Sequence, residues 1–489
     1  MAERPTPRIA PERFRALFEP RGVLVAGAST HPGKFGFVSL HNILACGYRG
    51  KVFATNRDGA EVLGVRTVAD VEELPDGEID LVFVCTPAAA NPDLLRACAK
   101  KGITAAFVAS AGYAEAGEEG RAAQEELVAL ADDLGILLAG PNGQGIVSPP
   151  AQLCAQIVGP YPPAGHIGIA SQSGNFVSSF ENYAQLTGVG VSRAVSAGNA
   201  AALTVPDYLE FFAEDPETTV ALAYVESVGE GRAFAERIPV VVGKGGATAG
   251  GQRAAASHTG ALATDDRVFD GVARQSGLSR AANVEQGFEI AATFATQPLP
   301  RGNRVVVVTT VGGWGVAAAD AIAGTDLELV PLPADLEAAI DAELPPRWSR
   351  NNPVDMAGGE TRDTVPKILE MVAGHPDVDA VVFLGMGIQS NQARLMREGP
   401  FWPDHGLERI VAFHERQDAR YAEAAAEVSE ATGKPVLVAT ELAVTWPENP
   451  GPAAVRATGR LCYPSAERAV AALDHLWRRA RWLDRRGLR

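Results

Sequence analysis

The fold class is decided by the stretch Gly165-His-Ile-Gly-Ile-Ala170-Ser171-Gln172-Ser173-Gly174-Asn175-Phe-Val-Ser-Ser-Phe180. An apolar run that predicts a buried strand leads into a Ser-Gly loop, and a helical pattern follows. Because main-chain N–H groups are exposed at a helix start, this loop and its two hydroxyls suit an anion. Ser171, Ser173 and Gly174 are therefore candidate phosphate-binding residues. A capped helix start without a ligand explains the same residues, since Ser is a favoured cap.

The order of strand, loop and helix recurs on both sides of this stretch. Upstream, strand patterns cover 23–29, 51–56, 79–87, 105–112 and 135–142, with helical patterns between them. Downstream, strand patterns cover 189–196, 220–226, 238–242, 303–310, 378–387 and 434–440. This alternation predicts an α/β fold of doubly wound parallel sheets. The length of 489 residues is enough for about three domains.

In doubly wound sheets, ligands bind at the carboxyl ends of the strands. The upstream strands end in small or polar residues, which makes the following the candidate ligand contacts: Gly27, Ser29, Asn56, Pro87, Ser110 and Asn142. An NAD site is poorly supported, because the first turn lacks GxGxxG and the second strand ends at Asn56 instead of an acid. Lys34 follows the first turn, and a cation there suits an additional phosphate such as the 3′-phosphate of CoA. A solvated loop lysine is the alternative.

Composition excludes several classes of protein. The net charge of −16 argues against nucleic-acid binding. The arginine run at 478–486 is better explained as a solvated helix face. No apolar run reaches roughly 18 residues, so we expect no membrane span, and the N-terminal residues do not resemble a signal peptide. The five cysteines contain no CxxC pair, so we expect a reducing cytoplasm, no disulfide and no metal site.

A single histidine stands out between a predicted strand and a predicted helix. The strand at 238–242 runs into a glycine-rich loop, His258 follows in Ser-His-Thr-Gly, and the next helix begins near Asp265. Glu226 ends a neighbouring apolar strand, and a carboxylate there could fix the tautomer of an imidazole. We expect these two residues to converge with the Ser-Gly loop. An ordinary surface-loop histidine and an ordinary loop glutamate are the alternatives.

Several motifs together resemble one family. These are Gly27-Ala-Ser, Gly140-Pro-Asn, Ser171-Gln-Ser-Gly, Tyr224-Val-Glu-Ser and Ser257-His-Thr-Gly-Ala-Leu-Ala. They look like the NDP-forming acyl-CoA synthetases, which include ADP-forming acetate–CoA ligase and, more distantly, succinyl-CoA synthetase. The resemblance covers essentially the whole chain and corresponds to the α-type subunit. It implies a CoA-binding Rossmann-like domain at 1–147, a flavodoxin-like domain with a phosphohistidine loop at 148–298, and a second flavodoxin-like ligase-CoA domain at 299–489.

The resemblance also implies a reaction. His258 is then the transiently phosphorylated residue and Glu226 its partner, in a ligase that joins a small carboxylic acid to CoA while ATP becomes ADP and phosphate. The relatives' ATP-grasp domain has no room in this chain, and Gly243-Lys244 is not followed by Ser or Thr as a Walker A motif requires. We therefore expect a β-type ATP-grasp partner that binds ATP and Mg²⁺, in a hetero-oligomer.

Two features leave room for other interpretations. Relatives often carry Cys or Ser where this chain has Gly143, which affects the expected contacts around the thioester. A CoA-responsive regulatory module without catalysis is the alternative function, although the presence of His258, Glu226 and the Ser-Gln-Ser-Gly loop together disfavours it.

The assignment of Lys34 to the 3′-phosphate predicts a difference between two ligands. CoA should raise the melting temperature of the chain by mass action, and dephospho-CoA should raise it less. Differential scanning fluorimetry with both ligands at matched concentrations measures this. Equal shifts would remove Lys34 from that role.

Overall fold

A computed structural model describes residues 7–225, 236–248, 250–251, 253, 265–358 and 363–489. The chain forms two compact units, one made of Met1–Leu186 with Gly190–Ala291, the other of Thr187–Val189 with Ala292–Arg489. The first unit contains two large sheets and the second contains one. The predicted bounds of the three domains stay predictions.

The first sheet of the first unit has five parallel strands in the order β2-β1-β5-β6-β7. Its strands and the small β3–β4 ribbon are β1 Gly22–Ala26, β2 Lys51–Thr55, β3 Glu61–Val62, β4 Val65–Arg66, β5 Leu81–Val84, β6 Ala105–Val108 and β7 Leu137–Ala139. Its helices are α1 Arg15–Phe18, α2 Phe35–Ala45, α3 Asn91–Lys100 and α4 Glu118–Asp133. The strands β1, β5, β6 and β7 are buried along their whole length, as expected of a sheet covered on both faces.

The second sheet has seven strands in the order β14-β13-β12-β10-β11-β8-β9. The strands are β8 Gly145–Ser148, β9 Leu153–Gln156, β10 Ala164–Ser171, β11 Val191–Ser196, β12 Val220–Val225, β13 Val240–Lys244 and β14 Ser279–Ala281. The helices are α5 Gly174–Thr187, α6 Val205–Phe212, α7 Asp266–Ser276 and α8 Val284–Thr296. Five strands are parallel, whereas β8 and β9 extend one edge as an antiparallel hairpin that the sequence analysis did not anticipate.

The second unit is a further doubly wound sheet in the order β16-β15-β18-β19-β20, with β17 paired to β15. Its strands are β15 Arg304–Thr309, β16 Glu328–Leu329, β17 Val354–Asp355, β18 Ala380–Leu384, β19 Val436–Ala439 and β20 Cys462–Tyr463. Its helices are α9 Gly312–Ala323, α10 Ala334–Asp341, α11 Thr364–Gly374, α12 Ile388–Glu398, α13 Leu407–Thr432, α14 Pro450–Ala457 and α15 Ala466–Arg485. All its strand pairs are parallel, so the predicted fold class is confirmed.

Two buried side chains, Arg193 on β11 and Asp207 on α6, form ion pairs with the N-terminal segment of the first unit. Arg193 on β11 is almost fully buried, donates to Ser148 Oγ at 2.8 Å and pairs with Asp215 and Glu19. Arg8 donates from Nε to an oxygen of the buried Asp207 at 2.7 Å. Removing one partner would leave the buried charge of the other uncompensated, so these contacts hold the N-terminal segment against β11 and α6.

The arginine run on α15 only partly matches its prediction as a solvated helix face. Arg481 pairs with Asp326 at 2.7 Å, on a partly exposed surface. Arg479 is buried, and its guanidinium lies 4.9 Å from the ring centroid of Trp482. The prediction was wrong for Arg479, because an arginine stem can pack as apolar surface. Over the part of the chain that the structure describes, no helix combines the length and apolarity that crossing a bilayer requires.

Burial of Glu181 on α5 gives the first unit a pH-dependent stability. Burial raises the pKa of Glu181 to about 8 from an ordinary value of 4.5. Between those two values the folded chain holds a proton that the unfolded chain has lost, so stability falls as pH rises through this window. Glu181→Gln removes the ionisation and should raise the free energy of unfolding at pH 8 by on the order of 3 kcal/mol.

Urea unfolding of both proteins at pH 8 and pH 5 measures the effect, and the gain should shrink strongly at pH 5. Glu119→Gln, at an exposed position on α4, is the matched control and should show no such dependence. An equal gain at both pH values would contradict the assignment to ionisation of Glu181.

Candidate active site

The predicted catalytic pair lies outside the described residues, so the structure neither places nor separates His258 and Glu226. The chain is described up to Val225, the last residue of β12, and again from Asp265. Asp265 caps α7, since its carboxylate accepts from the N–H groups of Arg267 at 2.8 Å and Val268 at 3.3 Å. The predicted acidic helix start after the histidine loop is therefore confirmed.

The Ser-Gly loop forms the predicted junction between β10 and α5. The hydroxyl of Ser171 accepts from the N–H of Ser173 at 3.0 Å and donates to the carbonyl of Ser173 at 2.7 Å. Ser171 is fully buried. Its hydroxyl therefore closes the turn before the helix and sets the direction of the following N–H groups, whereas Ser173 and Gly174 remain partly exposed.

Gln144 covers the start of α5 and was not predicted. A Cβ at Gly174 would lie 2.2 Å from Gln144 Cδ, so only glycine allows the amide to pack there. Gln144 donates from Nε2 to Asn175 Oδ1 at 3.1 Å and accepts from Ser178 Oγ at 3.3 Å. The sequence did carry a signal, because Gln144 directly follows the Gly140-Pro-Asn-Gly segment.

Three of the predicted CoA-binding residues meet where β1 and β2 end. The N–H of Gly27 donates to Thr55 Oγ1 at 3.2 Å, and the N–H of Ala28 donates to the Thr55 carbonyl at 2.9 Å. Asn56 donates from Nδ2 to the Ala28 carbonyl at 2.8 Å, which holds it beside the Gly27–Ser29 turn. Thr55 was not predicted, although it is the last residue of the second strand.

Helix α2 packs directly on this turn. A Cβ at Gly36 would lie 2.0 Å from the Gly27 carbonyl oxygen, so the first turn of the helix approaches as closely as glycine permits. Lys34 is the exposed residue that precedes the helix. The main-chain N–H of His31 donates to Ser29 Oγ at 3.1 Å. A cation and a helix start thus lie next to the turn, an arrangement that suits a phosphate.

A buried asparagine connects two further predicted residues. Asn91 accepts from Thr86 Oγ1 at 2.7 Å and donates from Nδ2 to Ser110 Oγ at 3.1 Å and to Tyr113 Oη at 2.6 Å. Thr86 directly precedes Pro87, so this network holds the ends of β5 and β6 together. Asn91 was missed because its sequence position, at the start of an alanine-rich helix, carries no chemical signal.

Asn142 joins this strand edge to the second sheet. Its N–H donates to the Ser110 carbonyl at 3.2 Å, and its side chain donates from Nδ2 to Asn199 Oδ1 at 3.2 Å. The predicted residues of the first sheet therefore lie along one edge, and the segment that ends with Gln144 leads from that edge to the start of α5. In the residues that the structure covers, no cluster of three or more His, Cys, Asp or Glu side chains could hold a metal ion.

Comparison with protein families divides the chain in the same order. Residues 21–149 match a CoA binding domain, residues 164–294 match a succinyl-CoA ligase like flavodoxin domain, and residues 305–388 match a ligase-CoA domain. The strands and loops described above lie within these matches.

Individual relatives agree with these matches. The chain is 32% identical over 480 residues to the α subunit of acetate–CoA ligase (ADP-forming) I from Pyrococcus furiosus, covering 96% of this chain and 98% of the relative. It is 34% identical over 373 residues to acetate–CoA ligase (ADP-forming) I from Archaeoglobus fulgidus, but spans only 54% of that relative. A solved structure, dinucleotide forming acetyl-coenzyme A synthetase 1 from Ca. Korarchaeum cryptofilum with phosphate and ADP, superposes with a TM-score of 0.82 at 29% identity and covers 97% of this chain and 99% of that one.

The close approach of Gly36 to the Gly27 carbonyl predicts a severe effect of one added methyl group. Gly36→Ala must push α2 off the turn, so CoA binding should be lost and stability should fall, which calorimetry and thermal unfolding measure. Gly271→Ala on α7 is the control, because a Cβ there meets no atom within 4 Å. It should raise stability by roughly 0.5–1 kcal/mol through helix propensity and leave CoA binding intact. Normal CoA binding by Gly36→Ala would contradict the role of this contact.

Proposed function

Because this chain belongs to the NDP-forming acyl-CoA synthetase family, we propose that it is the CoA-binding, phosphohistidine-carrying subunit of an ADP-forming acyl-CoA ligase. The overall reaction joins a small carboxylic acid to CoA and converts ATP to ADP and phosphate. One observation carries the proposal: the chain matches an α subunit from end to end but only about half of a single-chain ligase. A partner subunit supplies the remaining part of the reaction.

The reaction proceeds in three steps in the thioester-forming direction. The imidazole of His258 attacks the terminal phosphorus of ATP held by the partner, a P–N bond forms, and ADP leaves. A substrate carboxylate then takes the phosphoryl group, which gives an acyl phosphate and regenerates the imidazole. The CoA thiolate attacks the acyl carbon, and phosphate leaves. A histidine nucleophile thus divides one difficult transfer into separate steps and carries the phosphoryl group between sites.

The loop of residues 171–174 at the start of α5, which we call the phosphate cradle, provides the phosphate site in this proposal. Gly174 presents its N–H group at the N-terminus of a helix of 14 residues, and Ser173, whose own N–H is held by Ser171 Oγ, contributes its hydroxyl. A helix N-terminus stabilises a nearby anion by about 1 kcal/mol. Ser171 contributes through the turn that its buried hydroxyl closes. Glu226 orients the imidazole of His258 and stabilises its charged form.

CoA occupies the carboxyl edge of the first sheet in this proposal. The contacts are provided by Gly27, Ser29, Lys34, Asn56, Pro87, Ser110 and Asn142. Lys34 meets the 3′-phosphate, and the thiol end lies toward Asn142, which is two residues from Gln144 on the cradle. The partner is an ATP-grasp subunit that binds ATP and Mg²⁺, in a cytoplasmic hetero-oligomer. The similarity of the whole chain to ligase subunits disfavours the regulatory alternative.

The test uses a co-purified ATP-grasp partner and ATP labelled at its terminal phosphate. Label should appear on the wild-type chain, should be lost in acid and kept in base, as a P–N bond requires, and should be absent from His258→Ala. Calorimetry should show that His258→Ala still binds CoA, because the CoA contacts lie on the other sheet. His166→Ala, at an exposed position where β10 begins, is the matched control and should be labelled normally.

Acid-stable label, or label that persists in His258→Ala, would contradict the mechanism and direct attention to Ser257 and Thr259. Acyl-CoA formation by the purified chain without a partner would contradict the division of the reaction between two subunits.

A further inference from the structure

Glu115 makes a set of hydrogen bonds that no step of the proposed reaction uses. Its Oε1 accepts from the N–H groups of Gly112 at 2.6 Å and Tyr113 at 3.1 Å, and its Oε2 accepts from Asn199 Nδ2 at 2.6 Å. Partial burial alone would raise the pKa of Glu115, but these hydrogen bonds hold it below its ordinary value. Glu115 is therefore ionised at neutral pH and can only accept hydrogen bonds.

A carboxylate that only accepts determines the orientation of the amides connected to it. The NH₂ group of Asn199 has to face Glu115, and it also donates to Gln124 Oε1 at 2.9 Å. The oxygen of Asn199 then faces Asn142, which donates to it from Nδ2 at 3.2 Å. Since the NH₂ group of Asn142 is directed to Asn199, the remaining end of its amide is the oxygen.

The two loops that carry these amides are held close together. Asn199 donates its N–H to the Pro141 carbonyl at 2.9 Å, and a Cβ at Gly198 would lie 2.3 Å from that same oxygen. Because the main chains are in contact, an unfavourable amide orientation cannot be relieved by separating the loops.

Asn142 lies on the route that the reactive arm of CoA has to take. Its own N–H is bound to the Ser110 carbonyl on the edge of the first sheet, and Gln144, two residues later, covers the phosphate cradle. The pantetheine arm of CoA must lead from that edge toward the cradle for its thiol to reach an acyl phosphate. The hydrogen-bond donors of this arm are its two amide N–H groups, its hydroxyl and its thiol. The Asn142 side chain is exposed and therefore available to one of them.

We propose that Glu115 is a positioning residue that, through Asn199, directs the Asn142 side-chain oxygen to a donor of the pantetheine arm. Glu115 does not touch the reacting atoms, and its effect on CoA is exerted through two amides. This inference rests on the proposed function, since it concerns the CoA site of the ligase.

The variant Glu115→Gln should reverse the orientation of both amides. The oxygen of the new amide stays with the two main-chain N–H groups, so its NH₂ group faces Asn199. Asn199 then turns its own NH₂ group toward Asn142. Gln124 turns its NH₂ group to the Asn199 oxygen and gives up only the 3.4 Å contact of its oxygen with the Ala114 N–H. Asn142 presents NH₂ instead of oxygen to CoA. We expect Kd and KM for CoA to rise about tenfold, because two donors are placed face to face. Phosphorylation of the chain by its partner should remain at the wild-type level.

A double variant separates this relay from a merely structural role. Asn142→Asp alone places a second acceptor against the Asn199 oxygen, and CoA binding should weaken. In Glu115→Gln/Asn142→Asp the reversed Asn199 donates to the new carboxylate, whose other oxygen accepts from CoA. The double variant should therefore bind CoA more tightly than Asn142→Asp alone. If Glu115 only stabilised its loop, the two losses would add and the double variant would be the weakest.

Calorimetry with CoA and the labelling reaction together measure the outcome, with Glu126→Gln, at an exposed position on the following helix α4, as the control. A wild-type chain that neither binds CoA nor takes label would refute the proposed function itself. Normal CoA affinity of Glu115→Gln beside an active wild type, or simple addition in the double variant, would overturn the relay alone.

Discussion

The close approach of main chain to main chain at the carboxyl ends of the strands is the constraint on which the candidate site depends. Helix α2 touches the Gly27 carbonyl through Gly36, and the loop after β11 touches the Pro141 carbonyl through Gly198. Any larger side chain at these positions would separate the elements by more than a hydrogen bond tolerates. The polar side chains of the site, which include Asn56 and Asn142, therefore bind their neighbours directly and reach fixed positions.

A second recurring feature is the hydroxyl that closes the turn before a helix. Ser171 does this before α5, and in the second unit Thr309 accepts from the Val311 N–H at 2.9 Å and donates to the Val311 carbonyl at 2.8 Å before α9. In both cases the hydroxyl donates and accepts its hydrogen bonds within the loop, so its contribution is to direct the following N–H groups. A serine or threonine in such a loop is therefore weak evidence for direct contact with a phosphate, and the helix start itself is stronger evidence.

In the proposed function, the polar network of the first unit connects two chemically separate tasks. The pantetheine arm of CoA is long and mostly neutral, and it has to be positioned so that its thiol reaches the acyl carbon. Phosphoryl transfer instead requires a site of positive electrostatic potential. The segment from Gly140 to Gln144 contributes to both, because Asn142 binds the edge of the first sheet and Gln144 covers the start of α5. Gly143 between them is tightly enclosed, since a Cβ there would lie 2.3 Å from the Ser196 carbonyl oxygen.

The sequence by itself determined the alternating strands and helices, the parallel sheets and the side of each sheet where polar residues gather. These features follow from local periodicity and from the residues that end each strand, such as Asn56 and Ser110, so they need no knowledge of distant partners. Only the tertiary structure showed the antiparallel hairpin at residues 145–156, the burial of Arg193 and the roles of Asn91, Gln144 and Glu115. The place of the hairpin in the sheet depends on β11, since Gly145 pairs with Ser196. The side chains likewise depend on partners distant in sequence, as Glu115 depends on Asn199, and a pairing of that kind has no local signature. The physical reason is that a hydrogen bond is decided by distance and orientation in space, which the order of residues along the chain does not contain.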